Sequence, residues 1–291
     1  VKDVVLITPP PVEPVNQGAM LNQLGMSTPT DTGLAATLTA QLNGYIMAAR
    51  ADCENYCRRV FITQTWLLRR DSFPGRDFRY EALGYAHIEL PKPPFQSVYF
   101  LQYVDVSGTL QTLSIDTTYG TNPADPQYGY QLDRGSETQP ARLLPPFARP
   151  WPPTRMVPSN VLCQFRCGYG GPLAVSIDTG GVISGAKFNN DDQPLLPGDT
   201  GLAVSIPNGG GANVTLNTFI ASVNGSGVAT LATPPAAAIV NTSCWFGQPV
   251  PQPILQAIQF LAAWYYEQGS VVDVPMPRVV RALLDPYRDL T

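Results

Sequence analysis

The spacing of hydrophobic positions shifts from helical to alternating and back to helical along the chain. Leu34, Leu38, Leu42, Tyr45, Ala49, Cys53 and Tyr56 recur every three or four residues, which places them on one face of a long amphipathic helix. Ser27-Thr28-Pro29-Thr30-Asp31-Thr32 supplies turn and N-cap chemistry just before it. Residues 1–30 are expected to be extended and irregular. From Val60 to Arg69 the residues become β-branched and aromatic, predicting a strand that Asp71 to Gly75 breaks. Further strands are predicted at His87–Leu90, Val98–Asp105, Leu110–Ile115 and Val161–Cys167, with a hairpin turn at Ser107-Gly108. Pro145-Pro146-Phe147 to Trp151-Pro152-Pro153 suits neither central strand nor helix, because proline lacks the amide donor.

After Gly168-Tyr169-Gly170-Gly171-Pro172 the chain becomes rich in Gly, Ala, Thr and Val and poor in charge. Short alternating runs at Leu173–Ile177, Leu202–Ile206, Asn213–Ile220, Gly227–Leu231 and Thr242–Phe246 are separated by Gly turns, which predicts a small β-sandwich or barrel. Helical spacing returns with Ile254, Leu255, Ile258, Leu261, Ala262 and Tyr265 after Pro251 and Pro253, with Gly269 as its stop. Val279, Val280, Leu283, Leu284 and Tyr287 mark a last short helix. The early helix and the two late ones each have one apolar face, and the simplest solution packs them on each other. The expected class is α+β: a helical-bundle core with β-hairpins, formed by residues 1–171 and 249–291, carrying an inserted all-β domain at 172–248.

Composition narrows the functional classes. Charged residues make up only 14% of the 291 residues, against about 25% in ordinary globular proteins. With 30 prolines, this suggests fixed extended connections and much surface that meets other protein. The net charge of −4 and the short pairs Arg58-Arg59 and Arg69-Arg70 give no nucleic-acid footprint. An acidic chain of this kind can stand beside DNA without gripping it. No apolar run approaches the ~20 residues of a membrane span, and a soluble chain made in a cytoplasm is expected. Neither Cys53/Cys57 nor Cys163/Cys167 has the spacing of a zinc site, and buried reduced thiols are expected. In a strand, Cys163 and Cys167 stand roughly 13 Å apart, too far for a disulfide.

Candidate chemistry is sparse. His87 is the one histidine, and no GxSxG elbow, phosphate loop or HExxH helix is present. Asn189-Asn190-Asp191-Asp192 reads as a solvated turn rather than a calcium loop. Asp71, Asp77 and Glu81 read as loop charges, and Gly180-Gly181 and Gly209-Gly210-Gly211 as turns. No catalytic residue, metal ligand or cofactor is expected.

A set of motifs stands in a recognisable order. They are Thr8-Pro9-Pro10 with Glu13-Pro14-Val15; Ala48-Ala49-Arg50-Ala51-Asp52-Cys53-Glu54; Ile62-Thr63-Gln64-Thr65-Trp66 with Asp71-Ser72-Phe73-Pro74; and Ile88-Glu89-Leu90-Pro91-Lys92-Pro93-Pro94, running into Gln96-Ser97-Val98 and Tyr103-Val104-Asp105. Trp151-Pro152-Pro153-Thr154-Arg155, Phe165-Arg166-Cys167-Gly168-Tyr169-Gly170, Val250-Pro251-Gln252-Pro253-Ile254 and Ala282-Leu283-Leu284-Asp285-Pro286-Tyr287-Arg288 complete the series. In this order the chain resembles the head–tail connector, or adaptor, family of tailed bacteriophages over about 1–170 and 249–291. It departs from that pattern at Asn16–Thr28, where the family has an acidic helix-starting segment, and in the insertion.

The resemblance implies a structural virion protein of the phage neck, at the head–tail junction, assembled in the host cytoplasm. It implies a ring of this chain, twelve copies in the family. The ring would join the portal protein to a stopper, tail terminator or other neck protein. Genomic DNA would pass through without sequence-specific binding, during packaging and ejection. Asp285, Pro286, Tyr287, Arg288 and Leu290 are candidates for docking on the portal. Leu38, Leu42, Tyr45, Ile258, Leu261 and Tyr265 are candidates for subunit packing. The alternative is a tail or baseplate protein whose β module binds a host glycan.

Overall fold

The computed structural model describes residues 2–27, 29–75, 87–115, 129–136, 139–146, 150–184, 195, 197–269 and 275–289. The N-terminal stretch is more regular than its sequence suggests. It forms a strand, β1 (Lys2–Thr8), and a helix, α1 (Gln17–Leu24). The Asn16 side chain accepts a hydrogen bond from the Ala19 amide (2.8 Å), and Gly25 closes the helix in the left-handed region. An Asn cap therefore starts a helix within the stretch expected to be extended and irregular.

The long helix α2 (Thr32–Cys57) starts at Asp31, whose carboxylate accepts from the Leu34 amide at 2.9 Å. Helices α3 (Gln252–Gln268) and α4 (Arg278–Leu284) each follow a proline. Leu42, Ile46, Ala49 and Cys53 of α2 meet Ile254, Ile258 and Leu261 of α3 in one buried cluster, which Met20 of α1 and Leu284 of α4 complete. Leu34 does not join it. The first turns of α2 run past their neighbours and leave that side chain 64% exposed.

The strands β2 (Gln64–Arg70), β3 (Ile88–Leu90), β4 (Phe95–Val104), β5 (Leu110–Ile115), β6 (Gly129–Asp133), β7 (Ala141–Leu144) and β8 (Val161–Cys167) join β1 in an eight-stranded sheet, in the order β1-β2-β8-β4-β5-β6-β7-β3. Its pairs are antiparallel except β5 with β6. A helical bundle with hairpins is thus too narrow a description of this α+β fold. Leu68, Leu101, Cys163 and Phe165 share one buried layer, extended by Phe73 stacked flat on Trp151 at 4.6 Å. The expected strand start at Val60 is corrected to Gln64. Val60 to Thr63 is buried connecting chain, held by Val60 N–H to Pro93 O at 3.1 Å.

The remaining strands close into a barrel: β9 (Gly170–Ile177), β10 (Val182–Ser184), β11 (Ala203–Ile206), β12 (Leu216–Val223), β13 (Ala229–Leu231) and β14 (Ile239–Gly247), in the order β10-β13-β12-β11-β14-β9. Leu173, Val175, Val204, Ile220, Cys244 and Phe246 alternate inward and fill it. Its first and last strands lie side by side, with Gly170 opposite Gly247.

Two glycines make this junction sterically possible. Gly247 has φ +102°, and a Cβ there would lie 2.6 Å from Gly170 Cα and nearer still to Tyr169 O. Gly168 has φ +122°, and its Cβ would lie 2.6 Å from the Ile62 carbonyl. Each clash is with backbone, which cannot turn aside as a side chain can. Gly247→Ala should therefore cost at least about 1–3 kcal/mol, read as a lower urea midpoint with unchanged slope. A midpoint equal to wild type would show that the junction has slack.

Candidate functional site

The chemistry-bearing side chains collect at two seams, one between helices and sheet and one between sheet and barrel. At the first, Arg50 and Glu54 lie one turn apart on α2, on the side that turns inward with Ala49 and Cys53. Arg50 pairs with Glu54 at 2.6 Å and with Glu13 at 2.7 Å. Glu54 also accepts from the Phe61 amide (2.8 Å) and from Gln64 Nε2 (3.2 Å). Burial pushes the Glu54 carboxyl above its ordinary value; Arg50, Phe61 and Gln64 pull the other way. A carboxylate with these three partners is committed to holding chain segments together.

At the second seam, Arg166 of β8 forms an ion pair with Asp199, in the one-turn helix Pro197–Asp199, at 3.3 Å. Both side chains have no exposure. Arg166 also donates to the Tyr99 hydroxyl from Nε at 3.0 Å, and a second nitrogen donates to the same oxygen. Arg134 bridges the same gap, donating to Gln96 O (3.2 Å) and Gly198 O (2.5 Å). A cavity of about 590 Å³ opens where the barrel meets the helices. Val204, Thr218, Trp245, Pro14 and Leu255 are among its walls, none of which carries an ionisable group.

All five cysteines are buried and unbridged. Burial chiefly pushes the Cys57 thiol up to about 12 and that of Cys244 up to about 11; Cys53, Cys163 and Cys167 are raised as well. These are packed thiols, not nucleophiles. His87 is half-buried just ahead of β3. Asp71 is half-buried and accepts from the Ser159 amide at 3.0 Å. Asp77, Glu81 and Asn189–Asp192 lie outside the described residues. Among the described residues no group of three His, Cys, Asp or Glu side chains is placed to hold a metal ion. No helix there is long and apolar enough to cross a membrane.

The residues singled out for assembly fall in two places. Leu42, Ile258 and Leu261 have no exposed surface, and Tyr265 is 5% exposed. Leu38 and Tyr45 are half-buried against the same cluster. The fully buried three bind helix to helix within one subunit, so a neighbour cannot reach them while the helices stay packed. The C-terminal segment lies against the end of α2. Tyr56 donates to Asp285 at 2.6 Å, Arg288 sits over the Tyr56 ring at 5.0 Å, and the Asp289 amide donates to Cys57 O at 2.9 Å. Asp285, Pro286 and Arg288 remain exposed and Tyr287 is half-buried. Leu290 lies outside the described residues.

Removing one partner of the buried pair leaves the other charge stranded. Asp199→Ala should destabilise the protein by about 3–5 kcal/mol, and Arg166→Met combined with Asp199→Leu should recover most of the loss. Urea unfolding of the two variants decides it; an Asp199→Ala midpoint near wild type would remove the pair from any structural role. A thiol reagent should label none of the five cysteines quickly in the native protein and all five in urea. Fast native labelling would contradict their packing.

No family model matches the chain, and no curated protein does. Solved structures share its fold. One is described as the "Neck of empty GTA particle computed with C6 symmetry", with a TM-score of 0.52 and 17% identity, covering 99% of this chain and 96% of that one. Another is from the "Virion of native gene transfer agent (GTA) particle", with a TM-score of 0.51, the same identity and the same coverage. At that identity the likeness is one of fold, and it runs from end to end of both chains.

Proposed function

We propose that the chain is a structural, non-enzymatic subunit of the neck of a tailed phage-like particle, in a ring between the portal vertex and the tail. The observation that carries this reading is the end-to-end fold shared with a neck component, barrel included. The ordered motifs support it from another direction, because they rest on side chains and not on the backbone path. The placement of Arg50, Glu54, Gln64 and Arg166 supports it further: residues prominent in the motifs are the ones that bind the modules of the subunit together.

In this reading residues 1–171 and 249–291 make the ring-forming body and 172–248 an inserted module that projects from it. A closed ring needs two different patches on each subunit. With Leu42, Ile258 and Leu261 used inside the subunit, the patches come from exposed helix surface. The outer side of α2 qualifies, since Thr32 to Ala49 carries no charge and Leu34 and Met47 are 64% and 52% exposed. Twelve copies are proposed from the family resemblance. The net charge of −4 suits a wall that lets DNA slide without gripping it. The portal protein would meet the C-terminal segment, which α2 anchors through Tyr56 and Cys57 and which offers Pro286 and Arg288 outward. A stopper, tail terminator or other neck protein would meet the opposite face.

Electron microscopy of purified necks should show a ring of this chain directly beneath the portal; absence of the chain from particles would end the proposal. Truncation before Asp285 should leave subunits with near-wild-type circular dichroism that fail to join portal-bearing heads. Head joining at the wild-type level would remove the C-terminal segment from the docking surface.

A further inference from the structure

β1 is an end strand of the eight-stranded sheet. It pairs with β2 from Lys2 opposite Arg70 to Thr8 opposite Thr65, and among the described residues no strand lies beyond it. The outward backbone groups of Asp3 to Ile7 have no hydrogen-bond partner among the described residues. Soluble proteins ordinarily blunt such an edge with charge, proline, a bulge or short length. β1 has seven residues, its charges are confined to Lys2 and Asp3, and proline begins only at Pro9. The register shift falls at its far end, between Leu6 and Thr8, so the ladder from Lys2 to Leu6 is unbroken. Val4-Val5-Leu6-Ile7-Thr8 has the composition that favours strand pairing. Leu6 and Ile7 are 41% and 43% exposed, and the apolar surface continues to Val12 at 38%.

The other edges are guarded. β3 is three residues long, its Ile88 and Leu90 are buried, and Pro91 follows at once. The barrel, being closed, has no edge. The capacity of the described residues to accept another strand is therefore concentrated at β1.

We propose that the outer edge of β1 receives an extended strand from a different polypeptide of the same assembly, added to the sheet by backbone hydrogen bonds. This rests on the neck reading above. A row of free amides and carbonyls is matched only by extended chain. The absence of charge from Val4 to Val12 asks for an uncharged strand rich in β-branched and aliphatic residues. A second copy's β1 fits poorly, because two copies of one edge can meet only as an isologous pair. Such a pair closes a dimer and leaves nothing to propagate a ring.

The test uses Leu6→Lys with Ile7→Lys. Both side chains already reach solvent, so circular dichroism and melting of the isolated subunit should match wild type. Incorporation of the chain into tailed particles is read by quantitative mass spectrometry. Amide exchange over residues 3–7 is compared between the free wild-type subunit and the particle. Incorporation of the double variant should fall at least about tenfold, and exchange in wild-type particles should slow at least about 100-fold. Unchanged exchange, or equal incorporation of variant and wild type, removes the strand-addition proposal and leaves the neck reading standing. A dimer of the free protein that the two lysines dissolve would assign the edge to a second copy and overturn it. Absence of the wild-type chain itself from particles removes both.

Discussion

A buried carboxylate, Glu54, is the point through which helices, sheet and N-terminal segment are tied. It binds Arg50 on its own helix, the Phe61 amide of the chain leaving that helix, and Gln64 at the start of β2. Arg50 reaches on to Glu13. Taking these charges out of water is costly, and their attraction roughly offsets that cost rather than exceeding it. Their effect is positional. A hydrophobic pair would tolerate rotation of α2 against the sheet; a carboxylate with donors from three residues does not. The direction in which α2 leaves the sheet follows from this arrangement.

The barrel is held by the same kind of device. Arg166, pinned in the middle of the sheet by Tyr99 and Asp199, fixes the Pro197–Asp199 turn against β4 and β8. Gly168 and Gly247 let the connecting backbones pass at distances no side chain would permit. The barrel is therefore attached at two kinds of point, a covalent junction without side chains and a lateral clamp through a buried ion pair.

Much of this was legible in the sequence, and the rest was not for identifiable reasons. The helices α2, α3 and α4 are visible because Leu42, Tyr45 and Ala49, then Ile258, Leu261 and Tyr265, then Val280 and Leu284, recur at helical spacing. The short alternating runs between Gly turns pointed to a closed or layered β module. α1 was missed because eight residues with only Met20 and Leu21 buried leave too little periodicity. β6 and β7 were missed because strands of five and four residues carry no decisive alternation. The eight-stranded sheet joins strands whose partners lie up to about a hundred residues away, and local pattern holds no record of pairing. Asp199 follows Pro197-Gly198, and nothing in its neighbours marks it as buried. For Glu54 a signal was present: Arg50 and Glu54 sit a turn apart, flanking the apolar stripe of Ala49 and Cys53, where a solvated pair would stand on the opposite side.

The side-by-side placement of β9 and β14 bears on how the chain folds. α2 and α3 form one apolar core, yet their contact spans nearly two hundred residues of intervening chain, and the entropy lost in closing a loop grows with its length. The barrel changes that sum. Once it has formed, Tyr169 O and the Gln248 amide are one hydrogen bond apart, at 2.7 Å, and residues 170–247 drop out of the loop that α2 and α3 must close. A module that contributes no helix to the core thus brings the two halves of that core within reach of each other, as a clasp shortens a cord.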